Sequence, residues 1–158
     1  MFGEKQYLTQ AGIEELEKKL RVLENVRRPA VAERLHNALE EGGELTENQE
    51  YHDAKNEQAF VEGEIVRITQ ILTHAIAINE DEIDTDTVQI GNKVTVLDKS
   101  IKEEEIFHIV GSAEANPRVG KISAESPVGR ALLGAKVKDK VKVETPDGVI
   151  TFVIQSIT

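Results

Sequence analysis

The hydrophobic period of this chain changes part-way along, from about 3.5 residues to 2, and no single regular element satisfies both periods. Ile13, Leu16, Leu20 and Leu23 recur at three- and four-residue spacing, which puts them on one stripe of a helix. Thr9 is a good N-cap ahead of that stripe, with Leu8 and Ile13 placed to form a hydrophobic staple. The pattern slips near Pro29 and resumes at Val31, Leu35 and Ala38. A proline inside a helix removes one hydrogen bond, so the spacing predicts a kink there. Gly42-Gly43 supplies the left-handed residues that end a helix. A second helix is predicted to open at Thr46, with Gln49 three residues on in the form of a capping box. Tyr51, Ala54, Gln58, Val61, Ile65, Ile68, Leu72 and Ala75 then hold the spacing, with an end expected near Ile78. Two long helices joined by so short a turn run antiparallel. A helix of ~34 residues makes a rod of roughly 50 Å.

Residues 79–89 (NEDEIDTDTVQ) are acidic and lack helical period, which marks a linker. Beyond them apolar residues alternate: Val94 and Val96; Ile106, His108 and Val110; Val141 and Val143; Ile150, Phe152 and Ile154. Thr145-Pro146-Asp147-Gly148 is a tight turn between two of these strands. A short helix is framed by Ser126 as N-cap, Pro127 at its first position and Gly134 at its end. The reading is a two-domain chain: residues 1–78 form an antiparallel α-helical coiled-coil hairpin with an acidic tip at 40–50, and residues 79–158 form a small α+β domain.

Composition narrows the functions available. The absence of cysteine excludes disulfides and thiolate metal sites. Aromatics make up only 4% of the chain, which favours aliphatic helix seams over an aromatic-lined small-molecule pocket. A net charge of −10 argues against wrapping nucleic acid and favours a partner with a basic surface. No apolar run is long enough to span a bilayer and no secretory pattern opens the chain, so a soluble, cytoplasmic protein is expected.

The turn between the two helices carries Glu40, Glu41, Glu44, Glu47 and Glu50 with no basic residue among them. Part of this has a structural reading, since acids in a first helical turn complement the helix dipole by ~0.3–1 kcal/mol. The functional reading is a half-site for a divalent ion. Glu44 and Glu47 offer hard oxygen ligands suited to Mg²⁺, but two ligands make an incomplete cage. The remaining ligands have to come from water, substrate phosphates or a second protein. His36, His52, His74 and His108 show no ligand spacing and read as surface or packing residues.

Several stretches resemble one family. Glu44-Leu45-Thr46-Glu47-Asn48-Gln49-Glu50-Tyr51-His52-Asp53-Ala54-Lys55-Asn56-Glu57-Gln58 is similar to the tip signature of the bacterial Gre transcript-cleavage factors, roughly G-[DE]-L-x-E-N-x-E-Y-x-x-A-K-x-x-Q. Val26-Arg27-Arg28-Pro29 resembles that family's first helix. Ile109-Val110-Gly111, Ile122 to Gly134 (ISAESPVGRALLG) and Val141 to Gly148 (VKVETPDG) add an independent match in the second half. The tip wording lies closer to the GreA branch than to the GreB branch.

The resemblance implies a C-terminal domain that is FKBP-like and docks on the rim of the RNA polymerase secondary channel, through candidates Ser126, Pro127 and Arg130. It implies a coiled coil running down that channel. Glu44 and Glu47 are then expected to share a Mg²⁺ with the polymerase and assist its hydrolysis of backtracked RNA, with no metal held by the free protein. Arg27, Arg28, Arg34 and Lys55 are candidates to touch the RNA 3′ end, against a plain reading as a solvated helix face. The chain departs from the family at Glu44, where Asp is usual, and by one extra residue around Glu41-Gly42-Gly43. It also has Leu39 or Glu40 in place of the Arg common before the tip. A longer arm and a shifted turn are expected to weaken cleavage and leave docking intact. Two rivals remain at this stage: a channel-blocking regulator on the same scaffold, and a prolyl isomerase built on the second domain.

Overall fold

The helical period is realised as α1 (Gln10–Val22), a π-turn (Leu23–Arg27) and α2 (Arg28–Glu40), followed across a short turn by α3 (Gln49–Thr73). These coordinates are a computed structural model and describe residues 4–44 and 46–158. Residues 1–3 of the expected hairpin segment and Leu45 of the tip signature lie outside the described residues. The chain divides by its contacts into two units: Glu14–His74, and Glu4–Ile13 together with Ala75–Thr158. The sequence reading divides it once, at 78/79. The contacts set Glu4–Ile13 with the second unit because Gln6–Thr9 (β1) pairs in parallel with Ala75–Ile78 (β2).

In the first unit the irregularity expected at Pro29 takes the form of the π-turn ahead of it. Proline has no N–H to offer the carbonyl four residues back. In the wider turn before it, the Arg28 N–H reaches the Leu23 carbonyl five residues back. The added residue explains the slip in the pattern. Leu23 and Val31 stand one residue further apart than a heptad allows, yet both are buried in the same seam. Val61, Ile65 and Ile68 meet them from α3, with Leu16, Leu20 and Leu72 packed alongside. Burying each such aliphatic contributes about 1.5–3 kcal/mol. Ile13, expected to open the seam, belongs to the second unit.

Ion pairs on the flanks of the seam fix the direction of the two arms. Lys19 reaches Glu64 at 3.2 Å, Arg27 reaches Glu57 at 3.0 Å and Arg28 reaches Glu62 at 2.7 Å. Arg34 bridges to Glu50 and, at 2.7 Å, to Glu57. From Lys19 to Arg34 the partners run back from Glu64 to Glu50, so the helices are antiparallel, as expected. Pairs this exposed are well screened by solvent and add little, so the seam carries the stability and the pairs select the register.

Both ends of α3 differ from the sequence reading. Its N-cap is Asn48 rather than Thr46: the Asn48 Oδ1 accepts the Tyr51 N–H at 3.0 Å. The Asn48 amide also donates to the Ala38 carbonyl at 2.9 Å, so one side chain ties the start of α3 to the last turn of α2. At the other end α3 stops at Thr73, because Ala75–Ile78 joins β1 in a two-stranded sheet instead of continuing the helix. The 25 residues of α3 make about 37 Å of helix, shorter than the expected rod.

The second unit holds the period-two segments as an antiparallel-dominated sheet of order β5-β4-β3-β7-β6. The strands are β3 (Lys93–Asp98), β4 (Glu103–Val110), β5 (Lys121–Ser123), β6 (Lys140–Thr145) and β7 (Gly148–Ile157). β5 was not legible as a strand, being three residues long and paired in parallel with β4. The short helix α4 (Pro127–Leu132) was anticipated, with Ser126 accepting the Gly129 N–H as its cap. Val94, Val96, Ile109, Leu132, Val143, Phe152 and Ile154 form the core between α4 and the sheet.

The acidic segment 79–89 is pinned at its far end. Val88 is buried, and the fully buried Asn92 accepts the Gln89 N–H at 2.7 Å and donates to the carbonyls of Asp84 and Thr158. Among the described residues no helix is long and apolar enough to cross a membrane.

Two measurements follow from the hairpin. Replacing Asn48 with Ala removes a cap and orphans the Ala38 carbonyl, at a cost of about 1–3 kcal/mol. Thermal melts should show a lower Tm, with Asn48→Asp falling between the two because it keeps the cap acceptor and loses the donor. The second concerns Glu64, which Arg67 first and Lys19 second hold at a pKa of about 2 against an ordinary 4.5. A carboxylate with a depressed folded pKa stabilises the fold above its unfolded pKa, and that contribution is lost as pH falls through the folded value. Glu64→Gln should therefore melt slightly earlier than wild type at neutral pH. The gap should close as pH is lowered from about 4.5 to about 2.

Candidate functional site at the hairpin tip

The polypeptide turns between α2 and α3 through two glycines in the left-handed region, Gly42 at φ 74° and Gly43 at φ 96°. Only glycine takes two such steps in succession without strain. The Glu41 N–H closes α2 on the Asn37 carbonyl at 3.1 Å, and the Glu47 N–H then bonds the Glu44 carbonyl at 3.0 Å. Glu44 and Glu47 are the first and last residues of that turn, and both are exposed. Asn48, next in the chain, clamps the turn to both arms. Two carboxylates are thus carried on one short hydrogen-bonded segment with α2 and α3 behind it.

The five acids of the tip are not equivalent. Glu50 sits in the first turn of α3 and pairs with Arg34, which holds its carboxyl below the usual range. Glu40 lies 3.1 Å from the His36 ring. Among the described residues no basic side chain pairs with Glu41, Glu44 or Glu47. Nor do any three acids or histidines come together to hold a metal ion among those residues. The donor chemistry therefore fits a hard divalent cation only in part: Glu44 and Glu47 supply carboxylate oxygens, and further ligands must come from outside the chain.

The cationic candidates are held by their own protein. Arg27 is bonded to Glu57, and Arg28 grips Glu62 through two bonds of 2.7 and 2.8 Å. Arg34 is shared by Glu50 and Glu57. Lys55 donates to the Gln58 amide oxygen at 3.3 Å. The three arginines bridge the arms, a part that the charge pattern alone does not assign.

Around α4, Ser126 Oγ donates to the Ser123 carbonyl at 2.7 Å while capping the helix, and Pro127 and Arg130 are exposed. Gly129 lets the helix sit against β5, since a Cβ there would lie 2.0 Å from the Ser123 carbonyl oxygen. Glu125 is steadied next to this cap: its carboxylate accepts from Ser112 Oγ at 2.6 Å and its N–H donates to Ser123 Oγ at 3.1 Å. The aromatics of this unit serve packing. Phe107 and Phe152 meet edge to face at 5.6 Å between centroids, and Phe152 is buried in the core.

Sequence reasoning missed Asn48, for which a signal existed. Asparagine is as strong an N-cap as serine, but a second cap candidate stood two residues earlier. It also missed Glu114, discussed below, for which no local signal exists.

Known proteins bear the architecture out in both halves. A family model described as the N-terminal region of transcription elongation factors matches residues 6–76, and one described as the C-terminal region of transcription elongation factors GreA/GreB matches residues 83–158. Transcription elongation factor GreA of Acetivibrio thermocellus is 51% identical over 150 residues, covering 95% of this chain and 94% of its own. Its namesake in Clostridium novyi is 48% identical, with 99% of each chain covered. The crystal structure of GreA factor homolog 1 of Thermus thermophilus is 29% identical, with 98% of this chain and 99% of that one covered at a TM-score of 0.47. Matches across both halves of the chain, at these identities and coverages, establish that it belongs to the GreA/GreB family of transcription elongation factors.

Proposed function

We propose that this transcription elongation factor binds RNA polymerase through its secondary channel and stimulates the polymerase's own endonucleolytic cleavage of the 3′ end of backtracked RNA, rescuing arrested complexes. The observation that carries the reading is the pair Glu44 and Glu47. They are exposed, joined by one turn hydrogen bond, and without a cation of their own among the described residues, at the end of a two-helix arm. In this reading the arm is a coiled coil that enters the channel, and the second unit is an FKBP-like domain that docks on the channel rim. Ser126, Pro127 and Arg130 are its docking candidates.

The chain acts as an accessory factor and does not hydrolyse RNA alone. Glu44 and Glu47 are the residues that would hold a Mg²⁺ shared with the polymerase. When bound, that ion supplies charge neutralisation at the reacting phosphate and a more acidic water. The carboxylates contribute hard oxygen donors, and the Asn48 clamp limits how far they wander. Arg27, Arg28 and Arg34 keep the arms in register, so any contact they make with RNA has to compete with Glu57, Glu62 and Glu50. Lys55, bonded among the described residues only to a neutral amide, is the cation of the set best placed to meet a phosphate. Contact with nucleic acid is local and made inside the polymerase, in keeping with a net charge of −10.

The test uses a stalled polymerase complex carrying backtracked, end-labelled RNA and Mg²⁺. Wild-type protein should shorten the RNA, and the Glu44→Ala, Glu47→Ala double variant should do so at least about 10–100-fold more slowly while still binding. Unshortened RNA despite confirmed binding of the wild type would replace this reading with a regulator that occupies the channel without assisting cleavage. Calorimetric titration of the free protein with Mg²⁺ should show no binding, because two exposed carboxylates leave most of the ion's coordination unfilled.

A further inference from the structure

The first turn of α1 is closed by a residue more than a hundred positions away. Thr9 caps the helix in the ordinary way, its Oγ1 accepting the Gly12 N–H at 3.0 Å. In a capping box, a Glu or Gln at the third helical position reaches back to the N-cap N–H. That position here is Gly12, which has no side chain. Glu114 supplies the missing carboxylate from a one-turn 3-10 helix (Ser112–Glu114) that follows β4. Its Oε2 accepts the Thr9 N–H at 2.7 Å and its Oε1 accepts the Thr9 hydroxyl at 2.6 Å.

The fit is specific in two places. A Cβ on Gly12 would stand 2.2 Å from the Glu114 carboxyl, and a Cβ on Gly111 would stand 2.0 Å from the Tyr7 carbonyl oxygen. Both glycines leave room for this segment to lie against β1 and the start of α1. Thr9 is 2% exposed, so its N–H has no access to water as a substitute partner.

We infer that Glu114 is a positioning residue: it completes the capping box of α1 in trans and so anchors the start of the helical path that ends at the acidic tip. Residues 10–13 belong to the second unit and the rest of α1 to the first, within one unbroken helix. Fraying of that first turn shortens the helix that leads into the tip-bearing arm. Loss of Glu114 therefore acts on how well the carboxylates are presented, and not on how tightly the factor docks. This part of the inference rests on the cleavage function proposed above.

The experiment has two arms. The first is amide hydrogen exchange on the full-length free protein. Glu114→Ala should speed exchange at Thr9 and Gly12 by about fivefold. Gly12→Ala should do the same in the wild-type background, because the methyl displaces the carboxylate. In the Glu114→Ala background the three atoms nearest that methyl are gone and alanine is the better helix former, so Gly12→Ala should there slow exchange. Unchanged exchange in Glu114→Ala, or the same sign for Gly12→Ala in both backgrounds, would overturn the lock.

The second arm is transcript cleavage. Glu114→Ala should lower the rate at saturating factor several-fold and leave the half-saturating concentration unchanged. A shift confined to the half-saturating concentration would overturn the positioning role. Failure of the wild-type protein to stimulate cleavage would overturn the proposed function, and with it the positioning role, while the exchange arm decides the lock by itself.

Discussion

The hairpin depends on one narrow seam. Two helices packed side by side have no third layer, so each arm buries a single stripe and exposes the rest. Leu23 and Val31 on one arm and Val61, Ile65 and Ile68 on the other are the buried centre of that stripe. A seam this thin tolerates no drift in register, because a one-residue slip turns its apolar side chains toward water. The π-turn at Leu23–Arg27 is the local answer to that constraint. It absorbs Pro29 and the extra residue in the same place and returns Val31 to the line begun by Leu16 and Leu20. What the seam holds in depth, the arginines hold in direction, since each reaches a glutamate on the opposite arm.

A turn that carries several like charges needs something other than electrostatics to keep it folded. Mutual repulsion among Glu41, Glu44 and Glu47 opposes a tight turn, and the solvent screens it only in part. Asn48 resolves the conflict with a neutral side chain that accepts from α3 and donates to α2. A lysine or arginine in that place would also close the turn, but it would neutralise the acids and occupy their oxygens. An amide clamp keeps the geometry and places no charge beside the carboxylates.

Much of this was written in the local sequence, and the exceptions share a cause. Thr9, Ser126 and the Thr145-Pro146-Asp147-Gly148 turn act as their residue types predict, because caps and turns are decided within four residues. Most of the seam was legible from spacing alone, Ile13 and Ala75 excepted. The end of α3 was not. Ala75 and Ile78 continue the helical period yet lie in β2, where pairing with Gln6–Thr9 outweighs a propensity worth a few tenths of a kcal/mol per residue. The cap at Asn48 was obscured by Thr46, an equally good candidate two residues earlier. Glu114 was beyond reach, since it bonds a residue distant in the chain and leaves no local mark.

The tip shows most clearly what coordinates add to a charge pattern. Read in one dimension, Glu40, Glu41, Glu44, Glu47 and Glu50 form a single acidic run, and the nearest arginines look free to meet RNA. In three dimensions the arginines sort the glutamates. Arg34 claims Glu50 and Glu57 and Arg28 claims Glu62; the Glu50 and Glu62 carboxyls are held below the usual range, and all three pairings brace the opposite arm. No cation reaches Glu44 or Glu47 among the described residues, although Arg34 lies on the neighbouring turn of α2. The division follows from helix geometry: Glu50 is already helical and pairs with the other arm, while Glu44 and Glu47 precede the helix and are exposed. The same chain therefore uses one residue type for two purposes, and position relative to the first turn of α3 decides which.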